Sequence, residues 1–189
     1  MKDFVRPAGR LRMLPLPARM VYSVFNLFSL LALAETAWLG ADMVGTNLEG
    51  VEAYYAGKTT PPPSASAAPA ADGPTIEMPD EPLTAEAAPI SQRKLLEVTH
   101  FHLFTMPVYL LILAHLFMLS RIDARVKIGF IAGGSLGVLL HMIAPWVARS
   151  GGAFATLFYG VTGTLLLVCM LVMSVVPLFE MWAAPPQRK

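Results

Sequence analysis

VTHFHLFTMPVYLLILAHLFMLS, residues 98–120, is long and apolar enough to carry a helix across a bilayer, yet it holds three of the chain's four histidines. About 20 apolar residues span the roughly 30 Å of hydrocarbon in a membrane. Similar runs occur at about 20–44, 128–148 and 153–179, so four transmembrane helices are predicted. The fold class expected is an all-α integral membrane four-helix bundle with a long external loop. At 55% hydrophobic and 14% charged residues, the 189-residue chain has no room for a sizeable soluble domain.

Basic residues orient the spans, because Lys and Arg near span ends stay in the cytoplasm. Lys2, Arg6, Arg10, Arg12 and Arg19 precede the first run, Arg121, Arg125 and Lys127 separate the second from the third, and Arg188 and Lys189 close the chain. The segment 46–97 is acidic, with Glu49, Glu52, Asp72, Glu77, Asp80, Glu81, Glu86 and Glu97. The predicted organisation is a cytoplasmic basic N-terminus at 1–19, a first helix at 20–45, an external Pro/Ala-rich loop at 46–97, helices two to four within 98–182, and a cytoplasmic tail at 183–189. Such a layout suits a bacterial inner membrane.

The net charge of +1 reflects this asymmetry, a topology signal that argues against a nucleic-acid partner. The Ala32-Leu33-Ala34 triplet imitates a signal-peptide cleavage site. The apolar run continues through Ala37, Trp38, Leu39 and Ala41, so retention of the first helix is expected. Within 59–90, Pro, Ala, Ser, Thr and acids offer too little apolar surface to offset ordering entropy, and a flexible tether is expected. Gln92–Glu97 favours helix and is expected to extend the second span. Gly129, Gly133, Gly134 and Gly137 form a small-residue face for helix packing, and Gly160 and Gly163 a lesser one.

Polar ligands inside a bilayer are costly and point to function. Counting the helical rise at about 1.5 Å per residue puts His141 and Glu35 each about 20 Å from the cytoplasmic end of their helices, with His102 somewhat under 30 Å. His102, His141 and Glu35 are thus expected in one outer layer. His100 and His102 are about 200° apart on a regular helix, so only one faces inward unless the helix start unwinds. His115 lies over 20 Å deeper than His100, about 60° round the helix, and cannot join the outer group. Pro107 and Pro145 each remove the donor to a carbonyl four residues earlier, at Leu103 and His141, and Pro177 does so at Met173.

Two chemistries fit. Haem b takes two imidazoles on facing helices, supplied by His102 or His100 with His141, with Phe101, Phe104, Phe154 and Phe158 as walls. A second haem at His115, with Met170 or Met173, is a further pairing. The alternative is a non-haem transition metal held by His102, His141, His100 and Glu35, a donor mixture that suits iron, zinc or copper. Against both stands a cofactor-free structural subunit whose histidines only satisfy hydrogen bonds and whose Glu35 stays protonated. Cys169 reads as a small buried residue, and the eleven methionines follow no Met-x-x-Met pattern.

The stretches Val98-Thr99-His100-Phe101-His102-Leu103, Leu140-His141-Met142-Ile143-Ala144-Pro145-Trp146-Val147-Ala148-Arg149 and Pro177-Leu178-Phe179-Glu180-Met181-Trp182 resemble a family of small four-helix bacterial inner-membrane proteins. In relatives the external loop can carry a c-type haem motif, and the resemblance implies periplasmic electron transfer. Here the loop has no cysteine and cannot attach haem covalently, and relatives can place an acid where His141 stands. The expected function is that of an electron-transfer subunit in the lipid bilayer, beside a larger respiratory or redox complex or another copy of itself. A stand-alone enzyme is less expected.

Overall fold

A computed structural model describes residues 10–57 and 89–183. After a short 3-10 turn at Arg10–Met13, five helices follow: α1 Leu16–Met43, α2 Leu48–Ala56, α3 Gln92–Met118, α4 Ala124–Ala148 and α5 Ala153–Trp182. There are no strands among the described residues. All but α2 are long and apolar enough to cross a membrane, and the protein is an all-α multi-pass membrane bundle. Its outward surface carries large apolar side chains throughout, as lipid solvation requires.

α5 is the axis of the bundle and packs against each of the other four helices. Its closest neighbour is α4, and the glycine face of α4 explains why. A Cβ on Gly137 would lie 3.2 Å from the Leu166 Cα, and one on Gly133 3.2 Å from the Cys169 Sγ. The small-residue stripe is therefore consumed inside the chain. Leu113, Phe117, Val138, Leu166, Cys169, Met170 and Met173 close the core between α3, α4 and α5.

α1 docks on α5 through a polar stripe, Ser23, Asn26 and Ser29, all buried. Each returns local hydrogen bonding to the helix or receives a neighbour: Asn26 Nδ2 donates to the Tyr22 carbonyl at 2.7 Å, and Trp182 Nε1 donates to Ser23 Oγ at 2.8 Å. Near the same end, Glu180 accepts the Arg121 backbone N–H with both carboxylate oxygens, at 3.0 and 2.9 Å. Lys127 Nζ donates to the carbonyls of Met118 and Ser120. These contacts fix the α3–α4 turn at the end of the bundle that carries the basic residues.

The opposite end differs from the loop expected over 46–97. Residues 48–56 are helical, capped by Asn47 Oδ1, which accepts the Gly50 N–H at 2.8 Å, and closed by Gly57 in the left-handed region at φ 74°. Asn at the N-cap and Gly after the last turn are the residue types helix ends favour. α2 lies across the bundle: Glu52 accepts the Gly152 N–H at 3.0 Å, and Val51 and Tyr55 are buried with Val44, Leu95 and Ala148. α3 begins at Gln92, as the helix-favouring run suggested. The tether expected at 59–90 lies almost wholly outside the described residues, as do the basic residues before Arg10 and after Ala183.

Candidate functional site

Under α2, a cavity of about 200 Å³ opens between α1, α3, α4 and α5. His102 and His141 both line it, with Thr36, Tyr55, Met106, Met142 and Tyr159 among its walls. The two histidines that residue counting places in one layer therefore face one space. α3 and α4 run antiparallel, so residues near the start of one meet residues near the end of the other.

Each imidazole is held by one nitrogen. His102 Nδ1 is 2.8 Å from the Val98 carbonyl, one turn earlier on α3. A carbonyl only accepts, so this nitrogen carries the proton. His141 Nδ1 is 3.3 Å from Thr162 Oγ1, and that hydroxyl donates to the Tyr159 carbonyl at 3.1 Å, so Nδ1 is the donor here too. Among the described residues neither Nε2 has a hydrogen-bond partner. Each ring thus leaves Nε2 without a hydrogen bond, the nitrogen a neutral imidazole offers to a metal while its other N–H is anchored. Gly163 lets the His141 ring lie against α5, since a Cβ there would stand 3.2 Å from Cε1.

Tyrosines form the roof. The Tyr55 hydroxyl donates to the Tyr159 hydroxyl at 3.1 Å, and the Tyr159 ring packs against both Tyr55 and His141. Burial, then the neighbouring Tyr159, pushes the Tyr55 phenol well above the ordinary tyrosine range, so Tyr55 is neutral. One side wall is tied by Trp146 Nε1, which donates to Thr99 Oγ1 at 3.0 Å between α4 and α3.

The other candidates lie elsewhere. Glu35 is exposed on α1, and its neighbour Thr36 is the residue that reaches the cavity. Among the described residues no group of three His, Cys, Asp or Glu side chains is placed to hold a metal ion, so the set His102, His141, His100 and Glu35 is not assembled. His100 and His102 are both exposed, but only His102 lines the cavity; among the described residues the His100 ring meets Phe101 and Phe104 of its own helix. His115 lines a separate shallow groove with Tyr22, Leu111, Ile112 and Leu116, which contains neither Met170 nor Met173. Those two methionines are in the core. Phe101, Phe104 and Phe154 point outward, and Phe158 stacks on Phe154, so none of the four walls the cavity.

Residue counting missed Thr162, Tyr55, Tyr159, Met106 and Met142. Met106 sits one turn after His102 and Met142 directly follows His141, so their proximity was readable, but the side of the helix was not. The closing Glu180-Met181-Trp182 proves structural: Glu180 and Trp182 fasten the far end of the bundle.

Bundle and cavity together define a multi-pass helical membrane protein with a two-histidine pocket near one face. Residues 45–188 match the model of the Aq_1264_TM family, described as a transmembrane helical domain, and the chain belongs to that family. The matched region contains all four histidines and excludes α1 with Glu35. No curated protein and no solved structure matches the chain.

Proposed function

We propose that this protein is a small electron-transfer subunit of a bacterial inner membrane, binding a redox-active metal centre between His102 and His141. The observation that carries the reading is the pair of imidazoles on one cavity, each anchored through Nδ1 with Nε2 left without a hydrogen bond. The positive-inside rule puts the basic end in the cytoplasm and the site in the outer half, near a periplasmic partner.

Size favours a single ion. A cavity of about 200 Å³ lies below the roughly 300–1,000 Å³ of pockets for drug-sized ligands, and a haem macrocycle does not fit it as it stands. Two imidazoles with the Met106 and Met142 thioethers within the same walls form a donor set suited to copper or iron. The protein's part is to hold the rings and cover His141 with the tyrosine roof.

Haem b remains a second reading because of one feature. An apolar groove of about 560 Å³ between α3 and α4 shares Thr99, Val138 and Met142 with the cavity. Parting the helices along those residues would make a slot of macrocycle size with His102 and His141 on its two sides. Absorption spectra of the purified protein with and without dithionite, together with elemental analysis, separate the cases. About one copper or iron per chain without haem bands supports the ion, and a Soret band with sharp reduced bands supports haem b. Absence of both assigns the histidines to structural hydrogen bonding and ends the proposal.

A further inference from the structure

Two polar side chains face outward where lipid would be, at one depth. Glu35 is exposed within α1 and has no hydrogen-bond or ion-pair partner among the described residues. It interrupts an exposed stripe of Phe28, Leu31 and Trp38, which share one helix face at spacings of three, four and three residues. His100 heads a matching stripe on α3, followed by Phe104, Val108 and Leu111.

Their depth follows from an internal marker. The Phe25 and Tyr109 rings meet at 6.1 Å, fixing one level on α1 and α3. Glu35 stands ten residues beyond Phe25 and His100 nine before Tyr109, which is about 15 Å and about 13.5 Å along antiparallel helices. A carboxylate and an imidazole thus lie on the same plane of the bundle, the carboxylate within an apolar stripe and the imidazole at the head of one, next to the Arg93–Glu97 ion pair. Ionisable groups in such positions are expensive unless paired.

We propose that the chain forms a two-fold dimer in the membrane, in which Glu35 of each copy pairs with His100 of the other. A two-fold axis along the membrane normal preserves depth, so equal levels on one chain become facing levels between two. The stripes around the pairs supply apolar contact, and acid on one face with base on the other supplies complementarity. This inference is independent of the metal centre, because neither residue lines the cavity.

The test is single-molecule photobleaching of labelled protein in lipid vesicles at fixed protein-to-lipid ratio. Wild type is expected to bleach in two steps, Glu35→Ala and His100→Ala to dimerise about tenfold more weakly, and the exchanged pair Glu35→His/His100→Glu to recover dimerisation. Helical content by circular dichroism shows that the variants fold. In parallel, a Glu35→Cys chain and a His100→Cys chain, both with Cys169→Ser and with different tags, are expected to cross-link to each other when co-expressed. One-step bleaching of wild type, or dimer fractions unchanged by either single substitution, would overturn the proposal.

Discussion

His141 is held by small details of α5: a hydroxyl at Thr162 and the missing side chain at Gly163. Replacing Thr162 with Val keeps the shape and removes the acceptor for the Nδ1 proton. Partners of this kind typically change metal affinity by 10–100-fold, so Thr162→Val is expected to weaken metal binding by about that factor in a competition titration. Thr162→Ser should restore it, and unchanged helical content would separate this effect from misfolding. Equal affinity in wild type and Thr162→Val would mean that the hydroxyl does not orient the ring. This partner was hidden from the sequence because Thr162 lies 21 residues from His141, and no local pattern marks a contact between helices. Glu35 shows the opposite failure. Counting fixes depth along a helix but not azimuth relative to the neighbours, and the side of α1 that faces the cavity is that of Thr36.

At the scale of elements, the four spans were legible because twenty apolar residues in succession admit few other readings. α2 was not, although Asn47 and Gly57 mark its ends. Nine residues make a marginal helix alone, and what stabilises α2 is tertiary: Glu52 on Gly152 and Tyr55 on Tyr159. Asn47→Ala is expected to cost about 1 kcal/mol and to appear as faster amide exchange across 51–56, with the spans unaffected. The Tyr55 phenol adds a pH dependence. Its folded-state pKa is raised, so its stabilising contribution is complete below the unfolded value of about 10 and is lost as pH climbs beyond it. Alkaline titration should loosen α2 above about pH 10, less so in Tyr55→Phe. Between α4 and α5, close approach makes glycine positions unequal. A Cβ on Gly134 meets the flexible end of Met173 at 2.9 Å, whereas one on Gly137 meets the Leu166 backbone at 3.2 Å. Backbone cannot yield, so Gly137→Ala is expected to lose about 1–3 kcal/mol in unfolding titrations in detergent, and Gly134→Ala less. A reversed order would contradict the packing described.

The whole molecule is fastened at both ends and carries the two-histidine cavity at one. Glu180 and Trp182 lock α5 to the α3–α4 turn and to α1, while α2 covers the other end, over the histidines. Antiparallel α3 and α4 make His102 and His141 neighbours across 39 residues of sequence; depth counting put both in one layer, but the choice of His102 over His100 depends on azimuth and was not legible. The most direct measurement of the central claim is metal or haem content per chain in wild type, His102→Ala, His141→Ala and His115→Ala, purified side by side. The account predicts a bound centre in wild type and in His115→Ala, and its loss from both His102→Ala and His141→Ala. Equal content in all four proteins, or none in wild type, would contradict it.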